Sequence, residues 1–163
     1  MRASLEAHLG SRQVAKVVYG SIIGLALVVA LEKHPPPAAV MVVWLLGTAV
    51  AVGLAEIYSE VVGVETSQRH KVTRSQFRHF LEDAGAVAFG VAFPAVFFVL
   101  AALGVLPVQT AFTVAKWTGI GLIGFYGYLA ARASGTAAHH AVVRGALVAL
   151  VGAGLIALKA LVH

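Results

Sequence analysis

Two glutamates one helical turn apart, Glu56 and Glu60, stand at the end of a long apolar stretch, residues 38–58. Residues four apart share a helix face, and Thr48 and Val52 extend that face backward. Two carboxylates this close repel in a low dielectric. They stay ionised beside a cation or basic groups; otherwise one takes up a proton. The chemistry open to them is oxygen ligation of a hard divalent cation, or a proton relay. A structural alternative stands beside it, in which both side chains reach the interface and pair with Arg74 or Arg78. Glu82 and Asp83 open the next apolar stretch, where the helix dipole favours carboxylates. They either cap that helix or complete an acidic cluster with Glu56 and Glu60.

Other chemistries find less support. The chain has no cysteine, which excludes a disulfide framework, a thiolate metal site and a cysteine nucleophile. The seven histidines (His8, His34, His70, His79, His139, His140, His163) fall in tails, loops or span ends, none at the i, i+4 spacing of a helical metal pair. No G-x-S-x-G occurs, so no nucleophile–base pair is visible and no enzyme is expected. Gly119-Ile120-Gly121-Leu122-Ile123-Gly124 matches a dinucleotide fingerprint, but it lies inside an apolar stretch instead of after a strand. Lys116 lies about 10 Å below the end of its stretch. It either snorkels outward beside Trp117 or makes a buried pair.

The elements that position these residues follow from composition. Of 163 residues, 60% are hydrophobic and 12% charged, with a mean hydropathy of +0.89. Soluble domains run near 45–50% apolar and about 25% charged. A bilayer crossing needs about 20 apolar helical residues. Five segments meet or approach this: 14–31, 38–58, 84–105, 110–131 and 141–162. The expected fold is an all-α, polytopic bundle of five transmembrane helices in a single integral membrane domain. Glu32-Lys33-His34-Pro35-Pro36-Pro37 after the first segment is no signal-peptide cleavage site. Five crossings place nine basic residues, Lys16 among them as part of the N-terminal tail, on one side and two on the other. The positive-inside rule then puts the N-terminus in the cytoplasm and the C-terminus outside, in the plasma membrane. The net charge of +5 thus reads as topology and not as a nucleic-acid footprint.

The basic linker 63–80 is the longest polar connection. It is expected to continue the second helix, turn, and re-enter through an amphipathic lead-in bearing Phe77, Phe80 and Leu81. Arg69, Lys71, Arg74 and Arg78 are candidates for contact with anionic lipid headgroups. Small residues govern helix contacts inside lipid. Gly20-x-x-x-Gly24 is a close-contact motif, serving either packing within the chain or a homodimer axis. Ala111, Ala115 and Gly119 form one small stripe, and Gly145, Ala149, Ala153 and Ala157 another. Pro94 is expected to kink the third helix.

The pattern resembles the vacuolar iron transporter family. In that family the second span ends in small residues followed by Glu-Tyr and Ser, where this chain has Ala55-Glu56-Ile57-Tyr58-Ser59. Residues 117–161 are also similar, with a Gly-rich fourth span, Arg132-Ala133-Ser134-Gly135, and Arg144-Gly145 opening the fifth. Two differences stand out. Tyr19-Gly20-Ser21 occupies the place of a metal-binding aspartate, and the short basic linker replaces a glutamate-rich cytoplasmic domain. The only methionines are Met1 and Met41, where family members offer methionine near the metal path. The resemblance implies a homodimer with a translocation path near the Gly20/Gly24 face, and a cation path bearing Glu56, Tyr58 and Glu60. The expected function is movement of a divalent metal cation, as substrate, or of a proton. The alternative is a non-transporting scaffold or accessory subunit. No resident cofactor is expected.

Overall fold

The structure, a computed structural model, describes the backbone of residues 2–68 and 71–162, and the side chains of these other than 2–12, 68, 155 and 159–162. Arg69 therefore lies outside the described residues. Six helices account for nearly all of the chain: α1 (Arg2–Leu31), α2 (Ala38–Gln68), α3 (Arg74–Ala92), α4 (Ala95–Ala102), α5 (Val108–Ala133) and α6 (Ala138–Val162). Among the described residues there is no strand.

The linker is largely helical, as its polar but unbroken sequence suggests. α2 runs ten residues beyond the expected span, to Gln68. Thr73 then starts α3 with a capping box: its hydroxyl accepts from the Gln76 backbone N–H, and the Gln76 side chain accepts from the Thr73 N–H. The lead-in is only partly amphipathic toward the protein. Phe80 is buried, whereas Phe77 and Leu81 are exposed.

Pro94 breaks the third apolar segment, as expected. It cannot donate a backbone hydrogen bond, and α3 and α4 meet at a bend of 47°. Among the described residues three helices (α1, α2 and α6) are long and apolar enough to cross a membrane, or four crossings if the bent α3–α4 pair is one. α5 is long enough but less apolar, because Lys116, Thr118 and four glycines interrupt it. It packs against α1, α4 and α6, so less of it needs to match lipid. The chain is an all-helical protein whose apolar helices suit a bilayer.

For α1, the next helix in sequence is not a main packing partner. α1 scarcely touches α2; it lies between α3 and α5, with α2 against the far side of α3 and α6 against α5. The α1–α3 crossing is close because of glycine. A methyl group on Gly20 would overlap the Val87 carbonyl oxygen, one on Gly24 would lie 2.8 Å from that of Val91, and one on Gly90 would overlap that of Val17. The Gly20/Gly24 motif is thus spent on packing within the chain, the first of its two expected roles, and not on a homodimer axis, because α3 already covers that face. Of the other stripes, Ala111, Ala115 and Gly119 are buried in α5, and Gly145 meets Gly124 across the α5–α6 hairpin.

One end of the bundle is closed by an apolar core of Val28, Met41, Leu45, Ala95, Phe98, Ala111, Phe112 and Ala115, drawn from α1, α2, α4 and α5. Phe98 and Phe112 meet edge to face there, with ring centroids 4.8 Å apart. The opposite end carries the charges described next.

Candidate functional site: an ammonium between two glutamates

Near the start of its apolar run, α1 presents Lys16 toward α2. Its Nζ pairs with Oε1 of Glu56 and lies 3.5 Å from Oε1 of Glu60. All three side chains are mostly buried. Asp83 of α3 is 7% exposed, and its charge acts on Lys16 as well. The residue type suits the position. A lysine stem of four methylenes can lie along the apolar helix surface while its head reaches a carboxylate. Glu56 and Glu60, one turn apart, present both carboxylates to that head. This pairing is the polar tie between two helices that otherwise make little contact.

Below it opens a polar cleft of about 230 Å³, lined by Gln13, Glu60, Gln76, His79, Glu82 and Asp83. His79 Nδ1 lies 3.4 Å from Glu82 Oε2, both side chains about half exposed. Glu60 is the residue common to the ion pair and the cleft. The structure therefore brings Glu60, Glu82 and Asp83 together, and Asp83 is a buried member of the cluster instead of an exposed cap. Glu56 sits one turn deeper, on Lys16.

Three expectations are corrected here. The basic partner of Glu56 and Glu60 is Lys16 rather than Arg74 or Arg78. Those arginines are exposed and, with Val61, Val72 and Phe77, line a separate hollow, a place compatible with headgroup contact, as is exposed Lys71. Second, the expected metal between Glu56 and Glu60 is displaced by the Lys16 ammonium, which fills the gap. Among the described residues no three His, Asp or Glu groups gather to hold a metal ion. Third, Tyr58 is 72% exposed and does not face the cluster, since it lies 200° around the helix from Glu56 at about 100° per residue.

Lys16 is the residue of the candidate site that its sequence position assigns to the tail, yet Val14, Ala15, Val17 and Val18 surround it with apolar neighbours. A lone cation inside an apolar run was the available signal.

A second embedded amine behaves similarly at the other end. Lys116 of α5 donates to Glu32 Oε1 at the end of α1, at 2.5 Å. Of the two expected roles for Lys116, snorkelling or a buried pair, the structure shows a mostly buried pair with a defined carboxylate. Glu32 is about one third exposed, so solvent screens this pair more.

No protein-family model, curated protein or solved structure matches the chain.

Proposed function

We propose that this is a small polytopic membrane protein that moves a proton through the Lys16–Glu56–Glu60 cluster. In this reading α1, α2, the bent α3–α4 pair, α5 and α6 each cross the plasma membrane, the N-terminus is cytoplasmic and the C-terminus is outside. The observation that carries it is the ammonium held between two carboxylates inside apolar helices, with Glu60 also lining the polar cleft. Ionisable groups at such depth are expensive and mark function more often than not. Within the class suggested by the vacuolar iron transporter resemblance, the proton is favoured over a divalent metal. A proton can reside on an oxygen already facing an ammonium, whereas a metal would have to expel Lys16.

The chemistry proceeds from the cleft. A proton arriving on Glu60 cancels one of the charges holding Lys16 and leaves the ammonium to Glu56, with Asp83 still in its field. Passage to the far side requires opening of the apolar core around Phe98 and Phe112. α4, short and set off by Pro94, is the element that would move. The test is proton flux into vesicles reconstituted with the protein and a trapped pH-sensitive dye. Glu56→Gln abolishes the flux on this reading, and unchanged flux in a folded Glu56→Gln protein would sink it.

A second reading, a non-transporting scaffold or accessory subunit, is favoured by the dry core that closes one end. It predicts no flux in vesicles and a stable partner on gentle detergent extraction. A homodimer, if formed, has its seam elsewhere than Gly20 and Gly24.

A further inference from the structure

Charges within or near the apolar helices of this protein are mostly matched. Lys16 faces Glu56 and Glu60, Lys116 faces Glu32, and His79 faces Glu82. Arg132 donates to the Thr136 carbonyl at 3.0 Å. Arg144, like Arg74 and Arg78, has no carboxylate partner among the described residues, but it alone of these three borders the α1–α5–α6 cleft. It stands on α6 at the mouth of an open cleft of about 490 Å³ between α1, α5 and α6.

Among the described residues the walls of that cleft are apolar apart from Arg144 and Ser134, and Ser134 donates its hydroxyl to the Ala131 carbonyl at 2.8 Å. The hollow exists because α5 presents little side chain there, only Gly127 and alanines such as Ala130, while Val18 and Leu147 bound it from α1 and α6. It lies at the end where α5 finishes and α6 begins, the same end that carries Lys16. An apolar slot with one cation at its mouth among the described residues, at the edge of a membrane-embedded bundle, matches an amphiphile with an anionic head. A guanidinium can grip a phosphate through two parallel N–H bonds.

We propose that the α1–α5–α6 cleft binds one anionic phospholipid, an acyl chain in the hollow and its phosphate on Arg144. The site rests on the membrane-embedded fold and not on proton movement. It is distinct from the Arg74/Arg78 hollow on α3.

Native mass spectrometry of the full-length protein in detergent, with added phosphatidylglycerol or phosphatidylcholine, tests the site. Both lipids carry the phosphodiester, but the choline ammonium of phosphatidylcholine offsets its charge and repels the guanidinium, so the wild type is expected to retain one phosphatidylglycerol with about tenfold preference, a difference of about 1.4 kcal/mol. Arg144→Gln is expected to erase the preference. Ala130→Leu, which fills the hollow and keeps the charge, is expected to weaken both lipids several-fold. Arg78→Gln is expected to change neither. Equal retention of the two lipids by the wild type overturns the proposal. So does a preference that survives Arg144→Gln in a helical, monodisperse protein, or one that is lost in Arg78→Gln. Displacement of the lipid by equimolar glycerol phosphate would show that only a free anion is bound, and would overturn it too. Should Arg144→Gln aggregate, Ala130→Leu decides, and unchanged lipid binding by it overturns the site.

Discussion

The two embedded lysines invite comparison. Both reach α1 or leave from it: Lys16 is near the start of its apolar run, and Lys116 of α5 meets Glu32 just past its end, about 24 Å away along the helix. At the Lys16 end, one ammonium serves two carboxylates, Asp83 lies in its field, and a polar cleft adjoins. At the Lys116 end, one ammonium serves one carboxylate beside a dry core of Phe98, Phe112 and Met41. The same residue type therefore does different work. The first arrangement sets a second carboxylate, Glu60, beside both the ammonium and the cleft. The second is a closed pair that ties α5 to α1. What separates them is the number of acidic partners and the polarity of the adjoining space.

That difference can be broken most forcefully at Lys16. Lys16→Met leaves two glutamates facing each other in an apolar setting, and unfolding in detergent should show a loss of about 3–5 kcal/mol. Adding Glu56→Gln to it should restore part of that loss, since the stranded charge is removed; full additivity of the two variants would show that they do not interact. Next in size is Gly90→Val. It drives α1 from α3 at the crossing that sets Lys16 within reach of α2, with an expected cost of about 1–3 kcal/mol. A cross-link between cysteines introduced on α1 and α2 at the Lys16 end should slow, while one between α1 and α5 at the Lys116 end should not.

Lys116→Met sharpens the contrast from the other side. Its partner is partly solvated, so the same unfolding measurement should show about 1 kcal/mol, and vesicle proton flux should persist. Loss of flux in Lys116→Met would make the two ends one functional unit. The smallest effect is expected for His79→Gln. Its contact with Glu82 is half exposed, and stability should move by less than about 0.5 kcal/mol. A larger change would place His79 within the cluster instead of at its rim.

Much of the helical scaffold was legible from the residues. Apolar runs of bilayer length marked α1, α2 and α6, and Pro94 marked the break between α3 and α4, because each depends on neighbours in sequence alone. α5 was read as equivalent to the others, although Lys116, Thr118 and its glycines make it the less apolar helix. The site was half legible. Glu56 and Glu60 were recognisable because a helix repeats every 3.6 residues; Glu82 and Asp83 do not open the third helix as their sequence position suggests, because α3 starts at Arg74 and holds both in its middle. Tyr58, drawn in by resemblance, turned out to face away.

What local sequence determined, then, is that the chain forms apolar helices and that Glu56 and Glu60 share a face. Those features arise from side-chain periodicity and transfer free energy, which act over one or two turns. Which cation answers the glutamates was decided only in three dimensions. Arg74 and Arg78 are nearer in sequence, but the glycine crossing at Gly20, Gly24 and Gly90 seats α1 against α3, and that carries Lys16, forty residues away from Glu56, to the site. The same crossing turned Gly20 and Gly24 from a possible seam between copies into an internal contact, because a face already covered by α3 has none left to offer.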